Sequence, residues 1–143
     1  MKNSHFKKLE KIYLNAKVNK EIYSNTEIII QKNYSEIKMP IKKDYFHALD
    51  AIHGSVYFKM LDDAAFFAAQ SIVEDYILLT ASFNITFKMP VLNGYIKSKG
   101  KLCSVSQKEF TAEAKMYNSK NELVAFGNGI FKKSKISIDS INY

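Results

Sequence analysis

The stretch Ser55-Val-Tyr-Phe-Lys-Met-Leu-Asp-Asp-Ala-Ala-Phe-Phe-Ala-Ala-Gln70 constrains this chain most. At helical spacing, Val56, Met60, Ala64 and Phe67 form one apolar stripe, and Tyr57, Leu61, Ala65 and Ala68 form a second. A helix apolar around most of its circumference must be enclosed by other structure. Two carboxylates, Asp62 and Asp63, nevertheless lie inside it. Carboxylates are rarely buried without compensation, so a pair placed here is a candidate for chemistry. Gly54-Ser55 is read as the helix cap.

What encloses the helix must come from the rest of the chain, which reads mostly as strand. Tyr34 to Ile41 alternates, with Ile37, Met39 and Ile41 on one face. Ile77 to Lys88 also alternates, placing Ile77, Leu79, Ala81, Phe83, Ile85 and Phe87 on one face and Leu78, Thr80, Ser82 and Asn84 on the other. Pro90 and Asn93-Gly94 end that strand. Further strands are expected at Tyr95 to Val105, Phe110 to Tyr117 and Glu122 to Phe131. Four consecutive strands imply an antiparallel meander, and the simplest way to bury both parts wraps the sheet around the helix. Before them, Phe6, Leu9, Tyr13 and Leu14 mark an amphipathic helix, and Glu27 to Gln31 is a β-branched run. The expectation is one α+β domain over residues 1–143, with a helical extension over 1–25 and a fraying tail over 134–143.

Charge and composition narrow the partners. The net charge is +7, and every basic side chain is Lys. Without Arg, bidentate reading of bases is disfavoured, so no nucleic-acid partner is expected. A Lys-rich surface still suits a phosphorylated small molecule, with Lys97, Lys99, Lys132 and Lys133 as candidates by position. Apolar runs fall short of the ~20 residues of a membrane helix. The opening Met1-Lys-Asn-Ser-His lacks a signal-peptide core, and the single cysteine, Cys103, cannot form an intramolecular disulfide. A cytoplasmic protein without a membrane partner is therefore expected. Three histidines and one cysteine show no metal-ligand spacing, so no metal is expected. Phe66-Phe67 is read as core, and His5 as surface.

A buried helix opening with His53-Gly54-Ser55, an Asp nine residues after the His, and an antiparallel meander together resemble the hotdog-fold acyl-CoA thioesterases of the phenylacetate-pathway type. Asn84-Ile-Thr-Phe-Lys-Met-Pro90 is similar to that family's strand ending before a proline. The resemblance spans Tyr34 to Lys133. It implies a hotdog fold and hydrolysis of an acyl-CoA thioester, with CoA as part of the substrate and no cofactor. Asp62 matches the carboxylate acting as nucleophile or general base, and Gly54 the residue whose N–H polarises the carbonyl. Thr80 matches a hydroxyl near the attacking water, and His47 stands where the family has Asn. Ser55 replaces the family's second Gly, and Asp63 stands where relatives often carry Thr or Asn. Alongside His53, Ser55 and Asp63, Lys132 and Lys133 are expected on the substrate side. The resemblance also implies a homodimer, or a tetramer built as a dimer of dimers, with the active site between subunits. Two other readings are a hotdog dehydratase or hydratase and a non-catalytic acyl-CoA-binding protein. The first usually has a proline-rich segment after its His, and none lies between His47 and His53.

Overall fold

Alternating segments become six strands in the computed structural model, which describes residues 2–142. In chain order the elements are α1 (Lys2–Asn15), a π-helical turn (Val18–Ile22), β1 (Glu27–Gln31), β2 (Tyr34–Pro40), α2 (Gly54–Gln70), β3 (Tyr76–Phe87), β4 (Tyr95–Val105), β5 (Glu109–Asn118) and β6 (Leu123–Ser137). The strands form one sheet in the order β1-β2-β4-β5-β6-β3, with each neighbouring pair antiparallel. α2 lies across one face of this sheet, packed mainly on β4 and β5. This is the hotdog arrangement, a sheet wrapped around a central helix.

The contact between helix and sheet is close because β4 carries a glycine at the crossing. A Cβ at Gly100 would stand 2.0 Å from the Ala64 carbonyl oxygen. Ser35, paired with Gly100 across β2 and β4, donates its hydroxyl to that same oxygen at 2.6 Å. The height of α2 above the sheet is thereby set at the residue beside the two aspartates. Gly100→Ala has no room without lifting the helix, and is expected to cost roughly 2–3 kcal/mol as overpacking, read as a lower urea midpoint.

Three expectations need correction. The meander is only β4-β5-β6, because β3 pairs with β6 at the far edge while β4 pairs with β2. Alternation specifies which face a residue takes, not which strand lies beside it. The segment 88–94 carries the chain across the sheet end. It is held by Lys88 and Met89 N–H groups on Val124 O at 2.8 and 3.1 Å, and by Ile52 N–H on Val91 O at 3.0 Å.

The second correction is the facing of β3. Leu78 is fully buried while Leu79 is 53% exposed, although Leu79 stands on the more apolar face of the alternation. Between Thr80 and Ser82 the register with β6 slips by one residue, and beyond it Phe83 and Ile85 turn to the core. A bulge inserts one residue and exchanges the faces on either side of it. Uninterrupted alternation hides such a slip. Third, β6 runs through Ser137, past the expected end at Phe131. Ile138 beyond it is buried, with its N–H on Asp75 O at 2.9 Å.

Candidate active site

α2 opens on an unusual cap. His53, not Gly54-Ser55, is the capping residue, and its Nδ1 accepts the Ser55 N–H at 3.0 Å. Ser55 Oγ lies 2.9 Å from the same nitrogen. The Val56 N–H donates to His53 O at 2.9 Å. Of the first three amides of the helix, Gly54 N–H is left without a partner among the described residues. It sits where the helix dipole is positive.

Gly54 lines a cleft of about 330 Å³ together with His47, Ile52, Tyr57, Phe87, Lys88, Met89 and Pro90. His47 is fixed in a tight loop, where its Nδ1 accepts the Leu49 N–H at 3.0 Å. Its ring lies 6.4 Å from that of His53, edge to face. Tyr57 donates to Met89 O at 2.8 Å and packs edge-on against Phe87. These contacts set the cleft's back wall. A Cβ at Gly54 would reach the Phe87 ring at 3.4 Å, so any side chain there enters the cleft beside the free amide.

Two turns further on, Asp62 is half-buried and faces β3. Thr80 donates its hydroxyl to Asp62 Oδ1 at 2.9 Å. Thr80 reaches the helix because it precedes the bulge, on the same face as buried Leu78. Burial pushes the Asp62 carboxyl up to about 6, against the lowering effect of the Thr80 hydrogen bond. The carboxylate is therefore a better base than an exposed aspartate.

The start of β3 is held at this height by Gln70, the last residue of α2. Its Oε1 accepts the Leu78 N–H at 2.7 Å, and its Nε2 donates to Val73 O and Tyr76 O, both at 3.0 Å. His5, expected on the surface, is buried, with Nε2 3.1 Å from Gln70 O. The helical extension thus reinforces the joint between α2 and β3.

Asp63 faces away from Thr80 and is enclosed by other partners. Lys59 Nζ stands 2.5 Å from Asp63 Oδ2, and the Tyr13 hydroxyl donates to the same oxygen at 2.7 Å. Asp62 and Asp63 share a second cleft, of about 380 Å³, with Val18, Phe66, Phe67, Ile77, Leu79 and Thr80. Phe66 and Phe67, expected as core, also form part of this wall.

The structure thus brings together Asp62 with Thr80, and Gly54 with His47. It does not bring the first pair to the second within the chain. Lys132 and Lys133 are on neither cleft wall. They pair across the strand ladder with Leu79 and Leu78, and lie 3.5 Å from Glu109 and 3.4 Å from Asp75 respectively. Lys97 is 3.7 Å from Glu36, and Lys99 lies over the Tyr117 ring. The lysine that lines the Gly54 cleft is Lys88, which charge clustering did not single out. Its place in the Phe-Lys-Met-Pro strand end was the available signal. Tyr13 and Lys59 were also missed. Lys59 was within reach of sequence reasoning, four residues before Asp63 on the same helix. Among the described residues, no group of His, Cys, Asp and Glu could hold a metal ion, and no helix is long and apolar enough to cross a membrane.

A family profile described as the Thioesterase superfamily matches residues 49–125, more than half of the chain. Among curated proteins, none matches this sequence. Solved structures match the fold at low identity. The Escherichia coli PaaI protein, from the phenylacetic acid degradation operon, superposes with a TM-score of 0.84 at 14% identity, covering 95% of this chain and 97% of that one. Zebrafish thioesterase superfamily member 2 gives 0.79 at 13% identity, over 90% and 98% of the two chains. A Haemophilus influenzae thioesterase gives 0.76 at 15% identity, over 89% and 88%.

Proposed function

The chain belongs to the thioesterase superfamily, and from that premise we propose that it hydrolyses an acyl-CoA thioester to the free acid and CoA. The observation carrying the reading is the pair of reactive ends on one helix: a free amide at Gly54 and a basic carboxylate at Asp62. Thioester hydrolysis needs both. Negative charge builds on the carbonyl oxygen, which a free amide at a positive helix end stabilises. Water must lose a proton as it attacks, and Asp62 accepts it. Collapse of the tetrahedral intermediate breaks the C–S bond, and the CoA thiolate takes the proton back from Asp62. Thr80 holds Oδ1 and leaves Oδ2 to face the water. No cofactor enters these steps.

Gly54 and Asp62 are eight residues apart, so the helical rise separates them by about 12 Å. One thioester carbonyl cannot touch both in a single protomer. The proposed enzyme is therefore at least a homodimer, in which Asp62 of one copy faces Gly54 of another, and two such dimers could form a tetramer. Support comes from β3. It is a twelve-residue edge strand with Tyr76, Leu79 and Phe87 exposed. A long apolar edge is a template for adding another strand, and a second β3 satisfies it. Lys88, beside the Gly54 cleft, is placed to meet a CoA phosphate. His47 lines the same cleft in the position of the family Asn, where it would orient the carbonyl or the water. The test is a screen of acyl-CoAs of different acyl class, with released thiol detected by a disulfide reagent. Steady release from at least one class is expected. Acyl-CoA binding without release, or hydration of an enoyl-CoA, overturns the reading.

A further inference from the structure

The aspartate pair poses a physical problem. Two adjacent carboxylates on one half-buried helix surface tend to share a proton, and neither is then a dependable base. Here the two have separate surroundings, because successive helix residues point about 100° apart. Asp62 has the neutral hydroxyl of Thr80. Asp63 has a closed cluster assembled from three segments. Lys59 comes from the preceding turn of α2, and Tyr13 from α1. Lys59 Nζ also lies 3.2 Å from the Tyr13 hydroxyl, and 5.1 and 4.8 Å from the centroids of the Tyr13 and Tyr23 rings. Tyr13 is wedged edge-on against Phe67 at 5.2 Å, which fixes its direction.

We propose that Lys59 and Tyr13 are positioning residues that occupy Asp63 and thereby leave Asp62 as the reactive member of the pair. This rests on the reading of Asp62 as the catalytic base. The helical extension then has a part in the chemistry without touching substrate. Its Tyr13 is a donor throughout the useful pH range, since burial and the neighbouring Asp63 hold its hydroxyl well above the ordinary value. Among the residues lining the cleft around Asp62, only Lys59 and Asp63 are charged. The remaining walls, from α1, the π-helical turn and β3, offer Tyr13, Val18, Asn19, Ile77, Leu78, Leu79 and Thr80, all neutral. The two charges act oppositely on Asp62, since Asp63 raises its proton affinity and Lys59 lowers it.

The test reads Asp62 directly, by titrating its 13Cγ signal in the intact protein, with Asp62→Asn assigning the resonance. Lys59→Met leaves Asp63 without its cation and is expected to raise the Asp62 midpoint by about half a pH unit or more. Asp63→Asn leaves Lys59 uncompensated and is expected to lower it. Lys59→Arg keeps the charge and is expected to restore the native midpoint, which separates a charge effect from a packing defect. Tyr13→Phe, the mildest change to the cluster, is expected to shift it slightly upward. The acidic limb of kcat/KM should move with each midpoint. Opposite shifts for Lys59→Met and Asp63→Asn support the proposal, and unmoved midpoints in both overturn it. Shifted midpoints with an unmoved rate profile would instead overturn Asp62 as the base while leaving the coupling intact. A dead Asp62→Asn variant with unmoved midpoints would do the reverse.

Discussion

Asp62→Asn is expected to lose at least ~10²-fold in kcat while gaining stability at neutral pH and above. The first effect follows from the missing base. Asn keeps the oxygen that accepts the Thr80 hydroxyl at 2.9 Å, so the site's geometry survives and only proton acceptance is lost. The second follows from burial. A carboxyl pushed from 3.8 to about 6 binds its proton more tightly in the folded chain than in the unfolded one. Its ionised form therefore opposes folding above about 6, and the penalty fades as pH falls from there toward 3.8. Removing the charge should add roughly 1–3 kcal/mol at pH 8, after allowance for partial exposure, and nothing near pH 3.5. Urea unfolding of both proteins at the two pH values checks the sign. The same titration predicts the rate profile: kcat/KM of the native enzyme should fall about tenfold per pH unit below about 6. A variant that is inactive yet no more stable at pH 8 would mean that Asp62 is not held as a strained base.

How much of this was legible in the sequence depends on what each residue's environment required. The central helix was, because all-round apolarity has one structural solution. The resemblance singled out Thr80 as a hydroxyl near the attacking water, but neither its hydrogen bond to Asp62 nor the face of β3 around it was legible. Residues 77–87 alternate without interruption on both sides of a bulge, so the pattern carries no trace of the slip at Ala81. The place of β3 at the sheet edge was hidden for a related reason, since its apolar residues record burial or assembly without naming the neighbouring strand. The His53 cap ran against residue preference, which favours Ser or Asp there. His5 and Gln70 were illegible because their roles exist only across the joint between α1, α2 and β3. The lysines show the same limit. Charge density pointed to Lys132 and Lys133, whereas the cleft is lined by Lys88, an isolated cation two residues before a proline.

Mixing two inactive variants is expected to restore activity. Asp62→Asn removes the proposed base, and Gly54→Val blocks approach to the amide, since its side chain must enter the cleft beside Phe87. Each homodimer then lacks one half of both sites. In a heterodimer formed by unfolding and refolding an equimolar mixture, one site combines Asp62 from the Gly54→Val chain with Gly54 from the Asp62→Asn chain. The other site combines both lesions. Half of the dimers in a random mixture are heterodimers, and each has one working site of two, so activity should return to about a quarter of native. If each protomer instead held a complete site, every chain in the mixture would carry a lesion and nothing would return. The recovered fraction thus reads the site's construction without any structure of the assembly. It should vanish when β3 is made unable to pair. Ala81→Lys, at the bulge, puts a charge on this exposed edge strand. Introduced into both partners, it is expected to yield monomers by light scattering and no restored turnover. Native turnover by a monomer that carries this change and neither lesion would place base and amide within one chain, against the ~12 Å that the helix puts between them.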